Sequence, residues 1–171
     1  LGGAPVSESL LQTIRKLNLP VVVSYGMTET ASQITATRLT DPPERLTTSG
    51  RILHDCEVRI EKEPLSSVGE ICVRAPNVAT RYWPDKPALD TEGFFHSGDL
   101  AQQADDGSFT VVGRAKDMII SGGENIYPAE IENLIIGVPG VAECALVGLP
   151  DERWGETPVL AVVASAGATL D

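Results

Sequence analysis

Leu10, Leu11, Ile14 and Leu17 recur at helical spacing with polar residues between them. That stripe, with Ser7 placed as an N-cap, predicts an amphipathic helix over residues 7–18. Pro20 is expected to end it, and Val21-Val22-Val23-Ser24-Tyr25 then reads as a buried strand. A helix feeding such a strand is the grammar of an α/β layer. Residues 28–34 predict a further short helix with Glu29 in its first turn, and Asp41-Pro42-Pro43 marks a loop.

Downstream the period changes to two. Val58/Ile60 and Ile71/Val73 alternate with charged neighbours, which predicts half-buried strands over 56–61 and 69–74 in a small antiparallel sheet or barrel. Residues 94–100 and 108–112 predict two more strands around the turn Asp105-Asp106-Gly107. Beyond Arg114 the texture changes again. Segments 118–120 and 125–127 flank Ser121-Gly122-Gly123-Glu124 as a hairpin. Pro128 suits the first turn of a helix, Glu130 and Glu132 sit near its positive end, and Ile131, Leu134 and Ile135 face one way. Residues 141–149 and 159–164 predict strands of a second, α+β unit. The expected domains are 1–114 and 115–171, with the boundary at 113–117.

The 171 residues, 42% of them hydrophobic, suffice for one ordinary domain or two small ones. A formal net charge of −11 argues against a nucleic-acid surface, which needs clustered Lys and Arg. It does not argue against a nucleotide ligand, for which local donors and a metal suffice. Cys56, Cys72 and Cys144 lack metal-ligand spacing and read as small buried residues of a reducing, cytoplasmic compartment. No apolar run is long enough for a membrane helix, and no secretion signal is visible. The chain starts at Leu1 without Met and stops at Asp171 soon after an apolar strand, so both ends read as cuts through a longer protein.

Several short runs carry candidate chemistry. Tyr25-Gly26-Met27-Thr28-Glu29-Thr30 follows a strand and offers an aromatic face, a close-approach glycine, a hydroxyl for phosphate and a hard carboxylate for Mg²⁺. Alone, it reads equally well as a strand end with a capping threonine. Asp99, after His96-Ser97-Gly98, can accept two hydrogen bonds from a vicinal diol or simply form a turn. A lone histidine is usually structural, and His96 is given no catalytic role. Arg114 presents a planar fork for ribose or phosphate, or a surface ion pair. Gly122 and Gly123 admit a thin ligand near the backbone, or form a plain turn.

Taken together, 25–30, 96–100 and the run from Gly113 to Glu132 closely resemble the adenylate-forming family of acyl-CoA synthetases, adenylation domains and luciferases. The resemblance covers essentially the whole chain: the end of a large AMP-binding domain, a hinge and the start of a small α+β domain. It implies that Tyr25 stacks on adenine beside the Gly2-Gly3-Ala4-Pro5 loop, Thr28 contacts phosphate, Glu29 serves Mg²⁺ and Asp99 holds the ribose. It implies that Lys116 is the pivot residue, and that Arg114 and Gly26 belong to the ATP/AMP site. Gly122 and Gly123 border the CoA arm. The implied partners are a carboxylic acid and CoA. Ser24 to Thr35 and 56–61 look like the o-succinylbenzoate–CoA ligase branch, with aryl and fatty acids as other substrates. The alternatives are a domain that loads a carrier protein, or a non-catalytic module of the same fold. Two departures, Thr80-Arg81 before Tyr82-Trp83 and His54 in place of a common proline, lie away from the motifs. The family's phosphate loop and C-terminal lysine are expected outside these residues, so the 171-residue chain alone is expected to be inactive.

Overall fold

In the computed structural model, which describes residues 1–4, 6–62, 64 and 66–168, the Leu11/Ile14 stripe is the buried side of a helix, α1 (Glu8–Leu17). The Ser7 hydroxyl accepts a hydrogen bond from the Leu10 N–H at 3.3 Å, satisfying one of the orphan donors of the first turn. The helix is capped at Asn18, the end expected of it, and the cap is Asn18 itself rather than Pro20 two residues on. Asn18 adopts the left-handed conformation (φ 48°), and the Asn18 and Leu19 N–H groups return to the carbonyls of Arg15 and Ile14. Asparagine enters that region more readily than most residues, so the chain turns before the proline is reached. Leu11 and Ile14 pack with Val23 and Leu46.

Next come β1 (Ser24–Met27), β2 (Ser32–Ala36) and β3 (Arg51–Ile52), an antiparallel sheet in that order. The helix predicted over 28–34 is absent. A single 3₁₀ turn, Thr28–Thr30, is followed by Ala31 at φ 54°, which sends the chain back as β2. Thr30 is the reason: its buried hydroxyl accepts from the Met27 N–H at 3.0 Å and lies 2.6 Å from the Ser32 carbonyl. A β-branched side chain that bonds local backbone favours this tight turn over a continuing helix.

The predicted alternation builds the second sheet, from β4 (Glu57–Glu61) and β5 (Gly69–Arg74) to β8 (Phe95–Gln103) and β9 (Phe109–Arg114), in the order β4-β5-β8-β9. The short strands β6 (Arg81–Tyr82) and β7 (Lys86–Pro87) form a separate ribbon. Ile71, Val73 and Phe95 bury a core with Ile34, Val78 and Ala101. The sheet is open, with β4 and β9 at its edges, so of the two expected forms, antiparallel sheet or barrel, it is the sheet. Four strands are too few; a closed barrel with a filled interior takes about eight. β8 carries a bulge. It pairs with β5 at Val73↔Phe95 and Cys72↔His96, then at Glu70↔Leu100, so Ser97, Gly98 and Asp99 all face Ile71.

The chain divides into two compact units, Leu1–Val111 and Val112–Asp171. In the second, a 3₁₀ turn (Ala115–Asp117) precedes the hairpin β10 (Ile119–Ser121) and β11 (Glu124–Ile126). Pro128 opens α2 (Pro128–Ile135), as predicted. A long hairpin, β12 (Val141–Asp151) and β13 (Gly155–Ala164), completes a sheet of order β11-β10-β13-β12. Glu132 of α2 ties the helix to β12 by accepting from the Leu146 N–H at 2.7 Å. No helix among the described residues is long and apolar enough to cross a membrane, and the three cysteines are free thiols.

Candidate functional site

The turn out of β1 opens a cleft of about 450 Å³, lined by Gly2 and Gly3, the end of β1, Thr28, and the return through Ala31, Ser32 and Gln33. The Gly2 run lies along β1: the Ser24 N–H donates to the Leu1 carbonyl at 2.8 Å, and a Cβ on Gly2 would sit 2.9 Å from the Ser24 carbonyl oxygen. Ala4 is exposed and does not line the cleft, and Pro5 lies outside the described residues. Gly26 has an equally local cause. It stands at a register shift between β1 and β2, where a Cβ would meet the Ser32 oxygen at 2.2 Å and the Gln33 Cα at 2.6 Å. Backbone surface, not side chains, therefore floors much of the cleft.

Tyr25 and Asp99, 74 positions apart, meet directly. The tyrosine packs against the Ile34/Ile71 core and its hydroxyl donates to Asp99 Oδ2 at 2.6 Å. Asp99 is 7% exposed, and its N–H donates to the Ser97 hydroxyl at 3.0 Å. Thr28 is exposed at the mouth of the cleft. The next residue, Glu29, is half-buried. Its backbone carbonyl accepts from the Ala79 N–H at 2.7 Å, and its Oε1 accepts from the Tyr82 hydroxyl at 3.0 Å. Burial, then the Glu29 carboxylate, pushes the Tyr82 phenol above its ordinary pKa, so the tyrosine stays a donor. A carboxylate with one oxygen oriented in this way fits Mg²⁺, which takes one or two carboxylates and completes its shell with water and phosphate oxygens.

Behind the β8 bulge lies a polar network that the sequence reading missed. His96 Nδ1 is 3.1 Å from Glu70 Oε2, and Nε2 is 3.2 Å from Asp90 Oδ2. The other Glu70 oxygen accepts from the Gly98 N–H at 2.8 Å. Asp90 accepts from the N–H groups of Phe94 and Glu92, both at 2.8 Å, which holds its carboxyl below the ordinary range. The Glu70 hydrogen bond, then the Asp90 hydrogen bond and the surrounding carboxylates, raise the His96 pKa against an opposing burial effect. Cys72 is buried, and desolvation with the charges of Glu61 and Glu70 pushes its thiol up to about 12. Glu61, Glu70, Cys72 and His96 bring one donor atom each within 4.8 Å of one another. With the thiol protonated and both imidazole nitrogens on carboxylates, these groups satisfy one another as a hydrogen-bond network. The visible hint was Glu70 itself, a carboxylate one residue into β5 and ahead of Ile71, Cys72 and Val73.

The remaining candidates lie in the second unit. Arg114 ends β9, and Lys116 is exposed in the middle of the 3₁₀ turn that follows. Gly122 and Gly123 form the two-residue turn of the β10–β11 hairpin with φ 60° and 87°, both positive, as such a turn demands. The Gly122 N–H donates to the Trp154 carbonyl at 2.8 Å, and a Cβ on Gly122 would lie 2.8 Å from the Trp154 ring, whereas one on Gly123 would meet nothing within 4 Å. Trp154 thus packs on the glycine turn.

The family model for the AMP-binding enzyme matches residues 1–83, and that for the AMP-binding enzyme C-terminal domain matches residues 130–171. A feruloyl-CoA synthase from Amycolatopsis sp is 44% identical over 178 residues, a match that covers 99% of this chain and 36% of that protein. The o-succinylbenzoate CoA synthetase from Bacillus subtilis, in complex with its acyl-adenylate intermediate OSB-AMP, matches with a TM-score of 0.89 at 39% identity, over 99% of this chain and 36% of that one. The same synthetase in complex with ATP and magnesium ion matches with a TM-score of 0.86 at 40% identity, over 96% of this chain and 36% of that one. The chain spans a little over a third of the length of these relatives.

Proposed function

The chain belongs to the adenylate-forming, AMP-binding enzyme family, and from that premise we propose that the whole protein is an ATP-dependent acid–thiol ligase that makes an acyl-CoA and AMP. The observation that carries this reading is the Tyr25–Asp99 hydrogen bond beside a glycine-floored cleft. An aromatic ring fixed against the core suits an adenine face, and a nearly buried carboxylate suits the two ribose hydroxyls. Gly2, Gly3 and Gly26 admit the nucleotide to the backbone, with Ala4 on the adenine side, and Thr28 donates to phosphate. Glu29 would hold Mg²⁺, which when bound neutralises phosphate charge during attack.

A carboxylate is a poor electrophile because its leaving group would be an oxide. Its oxygen attacks the α-phosphate and expels pyrophosphate, giving a mixed anhydride whose leaving group is AMP. A thiolate then attacks the acyl carbon and releases AMP. In this reading the large domain is 1–114 and the small domain 115–171, joined at 113–117. Lys116 is the pivot that alternates the two half-reactions. Arg114 serves the nucleotide's ribose or phosphate, and Gly122-Gly123 borders the pantetheine arm. The substrate we favour is an acid bearing an aromatic ring, the kind named for both the feruloyl and the o-succinylbenzoate enzymes.

The test is pyrophosphate release by the full-length protein with a cinnamic-type acid, o-succinylbenzoate and a fatty acid, followed by CoA-dependent consumption of the adenylate. Turnover with an aryl acid and free CoA is the expected result. Adenylate formation without transfer to CoA would instead favour a carrier-protein acceptor, and no pyrophosphate release from any acid would leave a non-catalytic module.

A further inference from the structure

We propose that Glu70 is a positioning residue for the nucleotide. By bridging Gly98 and His96 it holds the β8 bulge that presents Asp99. The inference rests on the proposed role of Asp99 at the ribose.

The bulge needs such a device. Three residues of β8 face Ile71 alone, so the regular ladder cannot fix where Asp99 points. Gly98 has φ 72°, a conformation that side-chain-bearing residues rarely adopt, and a Cβ there would meet nothing within 4 Å. Its geometry is therefore held by bonds rather than by packing. One Glu70 oxygen takes the Gly98 N–H at 2.8 Å, and the other faces His96 Nδ1 at 3.1 Å, immediately before the bulge. Asp90 secures the far ring nitrogen at 3.2 Å and is itself fixed by two backbone N–H groups and by Arg59, 3.4 Å away. The bulge is thus gripped at its entrance and at its apex by one carboxylate. Its far side ends at Leu100, which is buried.

The arrangement has a consequence that simple scaffolding lacks. The groups facing His96 are Glu61 of β4, Glu70 and Cys72 of β5, and Asp90 of the loop before β8, with Arg59 behind the carboxylates. With Glu70 ionised and His96 protonated, both ring nitrogens donate to carboxylates. In Glu70→Gln the amide oxygen can keep the Gly98 N–H only while its NH₂ faces a neutral Nδ1. Once His96 is protonated the amide must turn its oxygen to the ring, and Gly98 is released. The apex then depends on pH in the variant and not in the native protein.

The experiment measures AMP affinity of the full-length protein by calorimetry, with thermal melting as the fold control. Glu70→Ala is expected to weaken AMP binding about tenfold, the scale of one lost charge-assisted hydrogen bond. Glu70→Gln should bind within about threefold of native at about pH 8 and fall about tenfold relative to native towards about pH 5.5, the titration of the AMP phosphate at about pH 6 acting on both proteins alike. A merely structural role would lower the melting temperature of both variants without a pH-dependent AMP affinity, and that outcome overturns the proposal. Native-like AMP binding by Glu70→Ala, with binding lost in Asp99→Ala, also overturns it while leaving the ribose role of Asp99 standing. Native-like binding by Asp99→Ala removes the ribose reading and this inference with it.

Discussion

Gly2 and Gly26 of the first unit's cleft are wedged against neighbouring backbone, whereas the glycines of the second unit's hairpin stand against a side chain or against nothing. A Cβ on Gly26 would collide with backbone of β2 at 2.2 Å, one on Gly122 would press on the Trp154 ring at 2.8 Å, and one on Gly123 would be free. The cores differ in the same sense. The first unit buries Ile34, Ile71, Val73 and Phe95 in one cluster, while among the described residues of the second the buried hydrophobic side chains are Val112, Ile119 and Leu146. At the wedged glycines of the first unit, then, the close approach of two backbones shapes the cleft floor, so stability and function fall together there. In the second, a backbone turn is set by torsion angles, and function can be lost while the fold survives.

The sharpest way to break this contrast is Gly26→Ala. The Ser32 and Gln33 backbone of β2 cannot swing away as a side chain could, so the substitution should cost about 3 kcal/mol of stability and abolish AMP binding, read by denaturant unfolding and calorimetry. Gly98→Ala, which meets only a torsional penalty, should cost about 1 kcal/mol; equal losses at the two positions would erase the distinction. Glu29→Gln comes next. An amide is a poorer Mg²⁺ ligand but still accepts from Tyr82, so adenylation in the full-length enzyme should fall about 100-fold at ordinary Mg²⁺ with an unchanged melting temperature. Recovery at high Mg²⁺ would strengthen the assignment, and normal adenylation throughout would make Glu29 a structural partner of Tyr82.

In the second unit, Gly123→Ala should slow CoA-dependent consumption of the adenylate about tenfold and leave adenylation intact, because only the turn torsion and the space beside it change. Single-turnover assays separate the two steps, and equal losses in both would deny the turn a special place in thioester formation. The smallest effect concerns His96. Its folded pKa lies above the ordinary 6.5, first because of the Glu70 hydrogen bond. Its protonation therefore stabilises the fold fully below 6.5, and that contribution disappears as the pH rises through the raised value. The ring is 39% exposed, so solvent screens the ion pairs and the contribution should stay below about 1 kcal/mol. Melting curves should show native stability declining across that window by no more than about 3 °C relative to His96→Gln, whose curve lacks this component.

Local rules made much of the fold legible. Ser7, the Leu11/Ile14 stripe, Pro128 and the paired glycines at 122 and 123 each act within a few residues of themselves, and each produced the element expected of it. The errors arose where a neighbour outbid a propensity. The Thr30 hydroxyl folded a would-be helix into a turn, and Asn18 rather than Pro20 supplied the cap at the expected end of α1. Sheet and barrel stayed as alternatives because alternation reports which face is buried, not whether the edges meet. In the candidate site, Tyr25, Gly26, Thr28 and Asp99 could be named because each sits in a short motif. Glu70 could not, since its partners lie 26 and 28 residues away and no period links them.

The tyrosine–aspartate bond across 74 positions also bears on how the protein is made. A nascent chain leaves the ribosome with Tyr25 long before Asp99 exists. Until then the ring has only its nearer neighbours, Ile34 among them, to lean on. Closing so wide a loop carries an entropic cost that only the completed β5–β8 pairing offsets. The proposed nucleotide surface is accordingly a late product of synthesis. A ribosome stalled before β8 would display α1 and the first sheet but no Asp99, and nucleotide should protect only chains that have passed that point.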